Sequence, residues 1–265
     1  EDPLRLYAYD FGQMGNVNPV IAYSMEGKSY PIHPRDDIML QLPGLRKKFP
    51  MYADYAKAGM KDLFPADILQ KALTITANNF QSVQLQNNGE QPWTLTTLCI
   101  EAQFAPVFGT LVQDYDGDGL QDLLLTGNFY GSEVINGPYD AGKGLFLKGQ
   151  NGGGFSLKKQ DFRVDGDGKG LAEIKVKNKL LVLAAINNDS LQTREFSIPP
   201  GAQVISLKQN ETYAIIHVAN GQLIRRECYY GAGYLSTSGR YLHIPFQAKS
   251  VEIFTNKGLS RKLLF

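Results

Sequence analysis

The sequence predicts a mainly β chain, in which β-repeats interrupted by a short helical insert are followed by a small C-terminal antiparallel β domain. Three observations predict it. Apolar and polar residues alternate with period two along most of the chain, in runs separated by Gly-, Asn- and Asp-rich turns. One window, residues 34–71, breaks that rhythm and reads as helix. An Asp-rich loop at 114–122 runs straight into Leu123-Leu124-Leu125 and has a degenerate copy starting at Asp10.

In chain order, residues 4–9 and 19–23 read as strands joined by that degenerate loop, and 25–29 is a turn. Past Pro34, Asp36 and Asp37 open a helix whose apolar positions are Leu40, Leu42, Leu45 and Phe49. It ends on Arg46-Lys47-Lys48, which complements the helix dipole, and Pro43 divides it. Residues 52–58 and 65–71 are further short helices, with Gly59 as a stop. Period two returns at Ala72. Strands are expected at 73–77, 82–86 and 93–96, with Asn87-Asn88-Gly89-Glu90 as a hairpin turn. Strand 106–112 delivers the Asp-rich loop and 123–126 leaves it. Residues 145–147 precede a turn at Gly152-Gly153-Gly154-Phe155, and the apolar run 180–186 is a buried strand ended by Asn187-Asn188-Asp189. Beyond Pro199-Pro200-Gly201 come short strands at 204–207, 213–218, 223–227, 241–244 and 250–254. The organisation expected is a repeat region over 1–198 and a C-terminal β domain over 199–265.

The loop carries the chemistry. Asp114, Asp116, Asp118 and Asp122 take its first, third, fifth and ninth places, and carboxylates packed so closely raise one another's pKa unless a cation intervenes. Ca²⁺ prefers about six to eight hard oxygen ligands. The Leu120 carbonyl is the natural backbone ligand, and Gly117 and Gly119 allow the positive φ such a loop needs. The alternative is a solvated acidic turn without an ion. An EF-hand loop would end in Glu where Leu125 stands and would lead into a helix instead of a strand. In the upstream copy, Asp10, Gly15 and Asn18 match Asp114, Gly119 and Asp122, but Gly12 and Met14 replace the middle carboxylates. The turn is expected to survive there without an ion. A third stretch, 165–173, has acids at Asp165, Asp167 and Glu173, but Lys169 takes the remaining carboxylate position. It reads as a metal-free turn.

A net charge of +1 gives no electrostatic case for nucleic acid or an anionic membrane surface. No apolar run reaches the roughly 18 residues of a transmembrane helix. The opening Glu1-Asp2-Pro3 lacks an initiator Met and a signal peptide, so the chain is expected to be a processed piece of a longer polypeptide. Cys99 and Cys228 are too few for a disulfide framework and are expected as buried thiols. His33, His217 and His243 are explained by packing or surface exposure, and no nucleophile, metalloprotease or phosphate-loop motif occurs, so an enzyme is not expected. Tyr229, Tyr230 and Tyr234 offer flat amphipathic faces on which a sugar could stack, although aromatics in strands are more often core.

The Asp-rich loop, the insert after Ser29-Tyr30-Pro31 and the segment Tyr229-Tyr230-Gly231-Ala232-Gly233-Tyr234-Leu235-Ser236 together resemble one group. These are the FG-GAP/VCBS-repeat proteins of the cartilage-acidic-protein (ASPIC) type found at bacterial cell surfaces, and the likeness is to a C-terminal portion. The resemblance implies β-propeller-like blades, an extracellular or outer-membrane-associated setting, and cell adhesion or binding to a protein or glycan partner instead of catalysis. Its ion-binding role passes to Asp114, Asp116, Asp118, Leu120 and Asp122, with Ca²⁺ as the ion. A chain this short does not close a seven-bladed ring alone. A carbohydrate-binding module of a surface glycan-handling system is the alternative.

Overall fold

The period-two stretches become antiparallel ladders in the computed structural model, which describes residues 3–158, 162–231 and 233–265. Ala232 of the 229–236 segment therefore lies outside the described residues. The fold is mainly β, and none of the sheets among the described residues is closed. Contacts divide the chain into two compact units, Glu1–Phe80 and Gln81–Phe265. The division expected between 198 and 199 falls inside the second.

The first unit begins with β1 (Leu4–Tyr9), β2 (Asn18–Met25) and β3 (Lys28–Pro31). Five short helices follow, α1 (Arg35–Gln41), α2 (Leu45–Lys48), α3 (Tyr52–Ala56), α4 (Met60–Leu63) and α5 (Ala66–Lys71), and then β4 (Leu73–Ala77). The sheet order is β3-β2-β1-β4. Helices this short are marginal in isolation. They hold here because Ile38, Met39, Phe49, Tyr55 and Met60 share one core with Val20 and Ala22 of β2. Pro43 separates α1 from α2, and Arg46, Lys47 and Lys48 fill the last turn of α2, as the dipole argument requires. Gly59 behaves differently from its sequence reading. It opens α4, where its N–H donates to Asp62 Oδ2 at 2.8 Å, and α3 has already ended at Ala56.

The second unit starts with the hairpin β5 (Val83–Asn88) and β6 (Gln91–Thr97), then a 3-10 turn at Ile100–Gln103. A four-stranded sheet follows from β7 (Val107–Gln113), β8 (Asp122–Gly127), β9 (Leu145–Gly149) and β10 (Phe155–Leu157), ordered β10-β9-β8-β7. Next is a three-stranded meander of β11 (Gly168–Val176), β12 (Lys179–Ile186) and β13 (Gln192–Ser197). The C-terminal part contains β14 (Gln203–Ser206), β15 (Glu211–Val218), β16 (Leu223–Glu227), β17 (Tyr241–Ile244), β18 (Ala248–Thr255) and β19 (Gly258–Leu264). Strand β14 pairs with β17, and the larger sheet runs β16-β15-β18-β19. Leu124, Phe146, Leu171, Leu180 and Val182 centre one core, and Ala214, Ile216, Val251 and Ile253 another. The stretch expected as a turn over 165–173 is instead strand from Gly168 onward, where β11 begins. Its buried positions, Leu171 and Glu173 among them, alternate inward in spite of the charges.

A buried ion pair ties the last strand into this unit. Glu211 is fully buried, and Arg261 donates to both of its carboxylate oxygens at 2.9 Å. Ser260 Oγ and the Lys208 N–H complete the shell. Burial pushes the Glu211 carboxyl up, but these donors outweigh it and hold the group below its ordinary value of 4.5. A depressed carboxylate stabilises the fold above the unfolded-state value, and that contribution is lost as pH falls through the folded one. Thermal melts between pH 6 and pH 3 are expected to show this loss at no more than about 1.4 kcal/mol per pH unit. Glu211→Gln is expected to flatten that part of the profile.

Candidate metal centre

The Asp-rich loop joins β7 to β8, with Gln113 paired to Asp122 at its neck. Gly117 and Gly119 take φ of 81° and 90°, a region that strains residues bearing a Cβ. Asp114 staples the loop, Oδ1 accepting the Gly117 N–H at 2.7 Å and Oδ2 the Gly119 N–H at 2.9 Å. Asp122 is fully buried. Its Oδ2 accepts the Tyr115 N–H at 2.9 Å, and its Oδ1 the N–H of Gly149 on β9 at 3.0 Å.

Asp114, Asp116 and Asp122 each place one carboxylate oxygen within 4.8 Å of the others, a spacing that can hold a metal ion. The donor set fits such an ion. Asp116 Oδ1 is buried without a hydrogen-bond partner. The bonded oxygens of Asp114 and Asp122 each keep a free lone pair. Burial, reinforced by the neighbouring aspartates, pushes the carboxyls of Asp114 and Asp122 up despite their backbone donors. These are the conditions under which a cation is favoured over separate protons.

Of the four expected carboxylate ligands, Asp118 lies outside this trio. Asp118 Oδ1 accepts the Leu120 N–H at 2.8 Å, and its Oδ2 sits 2.9 Å from the Lys148 ammonium. Burial raises the Asp118 carboxyl, but the Leu120 N–H and Lys148 bring it below its ordinary value. Lys148 also lies 2.6 Å from Asp116 Oδ2, and its own pKa is raised by those two carboxylates. The cluster therefore has a built-in cation on β9. Nothing in the loop's own spacing could reveal it, because the contact is made across the sheet.

The upstream copy keeps the bend. Tyr9 pairs with Asn18 at the matching place in the register, and Asp10 accepts the N–H groups of Met14 and Gly15 at 2.9 and 2.8 Å. In the 165–173 stretch, the Lys169 ammonium lies 2.6 Å from Asp167 Oδ1, close enough for an ion pair although without hydrogen-bond geometry. It also donates to the Asn128 carbonyl and lies 4.2 Å from the Phe108 ring centroid. Glu173 points elsewhere. Its Oε1 shares a 2.7 Å hydrogen bond with His243 Nε2, and its Oε2 accepts from the Tyr115 hydroxyl at 3.2 Å. A buried Tyr–Glu–His cluster thus links the Asp-rich loop to β17.

His33 accepts the Ile21 N–H at 3.3 Å, and His217 lies 3.5 Å from Glu252. Cys99 and Cys228 are free and half-buried. Tyr229, Tyr230 and Tyr234 are all exposed, but two are engaged. The Arg240 guanidinium covers Tyr230 at 4.0 Å, and Tyr234 packs 5.3 Å from Phe108. No helix among the described residues is long and apolar enough to cross a membrane. No protein-family model matches the chain, and no curated protein matches it.

Proposed function

We propose that the chain is a calcium-binding, non-catalytic β-repeat protein of the FG-GAP type, propeller-like in arrangement, which binds another macromolecule at the cell surface. The observation that carries this reading is the set of three convergent carboxylates, with the buried Asp116 Oδ1 left without a partner. An all-oxygen donor set with a backbone carbonyl close by suits Ca²⁺ better than Mg²⁺, which demands near-octahedral geometry and gives up its water reluctantly. Repetition of the hairpin register at Asp10 supports the repeat reading. Weak calcium loops function where calcium is plentiful, which favours an extracellular or outer-membrane-associated setting. A second reading, a carbohydrate-binding module, is favoured by the exposed ring of Tyr229.

Isothermal titration of calcium and magnesium into the purified protein tests the metal. Binding of calcium over magnesium is expected, and no heat from either ion would remove the reading. Lys148 must yield its two carboxylates to the ion. Lys148→Gln is therefore expected to tighten calcium binding by up to about fivefold, the scale of a partly exposed ion pair.

A further inference from the structure

We propose that the cavity between β7, β11, β16 and residues 237–241 binds an acidic sugar, and that Arg226 holds its carboxylate. The cavity measures about 450 Å³. That lies within the usual range for small-ligand sites, about 300–1,000 Å³. The site goes beyond the calcium reading. It rests on the carbohydrate reading for the sugar and on Arg226 for the charge.

The charges around the cavity are out of balance. Strand β16 alternates, so Ile224 and Arg226 share its more buried face while Arg225 and Glu227 are exposed. Ile224 packs on the C-terminal core, and Arg226 follows it into the cavity. Every other charged group on the wall is already committed. Glu227 pairs with Arg225 at 2.7 Å. Glu173 is taken by His243 and Tyr115. Arg240 donates to the carbonyls of Cys228, Lys208 and Glu211. The Arg226 side chain alone has neither an ion pair nor a hydrogen bond among the described residues. Burial lowers its pKa, as expected for a cation held away from water without compensation. A charge on the more buried face of a strand, left unpaired, breaks the pattern that builds a core. A guanidinium recognises a carboxylate through two parallel hydrogen bonds.

The rest of the wall is rich in hydroxyls and amides. The hydroxyls of Thr110, Thr237, Tyr229 and Tyr241 and the amides of Gln113 and Gln121 line the cavity and bond to no described protein group. Hydroxyls and amides left free by the protein, around aromatic rings, match a ligand that carries many hydroxyls on a ring with apolar faces. One carboxylate on such a ring makes it a sugar acid.

The test is isothermal titration of a glucuronate-terminated disaccharide, the matching neutral disaccharide, and inorganic phosphate into the whole chain and into Arg226→Gln. The acidic disaccharide is expected to bind, and the neutral one and the variant to lose at least about tenfold in affinity. Arg226→Gln is expected to melt no lower than the parent, since it removes an unpaired, half-buried charge. Arg226→Lys, which keeps the charge and loses the fork, should fall between the two. Absence of binding by the acidic disaccharide overturns the proposal, as does phosphate binding equally well or a clear drop in the variant's melting temperature. Equal binding of both disaccharides, unchanged in Arg226→Gln, overturns the site while leaving the carbohydrate reading intact.

Discussion

Chelation of calcium is expected to lower the melting temperature of the second unit by about 5–11 °C relative to saturating calcium, as read by differential scanning calorimetry. A ligand at ~100 times its Kd stabilises the folded state by about 2.7 kcal/mol, and each kcal/mol moves a unit of this size by about 2–4 °C. The effect has a pH signature. Burial raises the carboxyls of Asp114 and Asp122, so the metal-free fold binds protons more readily than the unfolded chain. Its stability then rises as pH falls through those raised values, while the ion is displaced. The gap between calcium-loaded and chelated melts should therefore narrow on acidification. Asp116→Asn, which removes the charge beside the partnerless buried oxygen, is expected to abolish the response. Superimposable melts with and without chelator would rule out the metal.

The second large effect is expected at Glu173. This carboxylate is buried and bonded to both His243 and Tyr115. Removing Glu173 leaves the His243 ring nitrogen and the Tyr115 hydroxyl without their partner, at about 1–3 kcal/mol per unsatisfied buried group. Glu173→Ala should destabilise the second unit on that scale in urea or guanidinium melts. His243→Ala in the same background should add much less than it does alone, with a coupling of about 0.5–3 kcal/mol. Additive effects, or a loss under 1 kcal/mol at Glu173, would show that the cluster does not hold β11 to β17.

Much of this was legible in residue order, and the exceptions share a cause. Strands with a clean apolar face, such as 180–186 and 213–218, declare themselves by period. Strands β3 and β10 were missed because they are only four and three residues long, and the longer segments missed have polar inward residues. Strand β11 hides behind Asp167 and Glu173, β13 behind Gln192 and Arg194, and β19 behind Arg261. Glu173, Gln192 and Arg261 find their partners in His243, Asp165 and Glu211, all distant in sequence, while Arg194 donates to the neighbouring Thr193 carbonyl, so the pattern looks like loop until the partners are known. The loop itself shows the same limit. Its glycines and the staple by Asp114 follow from spacing, and three of its four aspartates converge. Lys148 reaches the remaining one from another strand. Arg226 was visible only as one more basic residue in an alternating run.

The hairpin at Asp10 makes its bend with one carboxylate clasping two amides, in the register used again at Asp114. Curvature in this architecture is therefore written into the backbone before any cation arrives. A cation held by the Asp114 loop would then act as a tensioner on a shape already drawn, and ambient ion levels would tune its stiffness while leaving its outline unchanged.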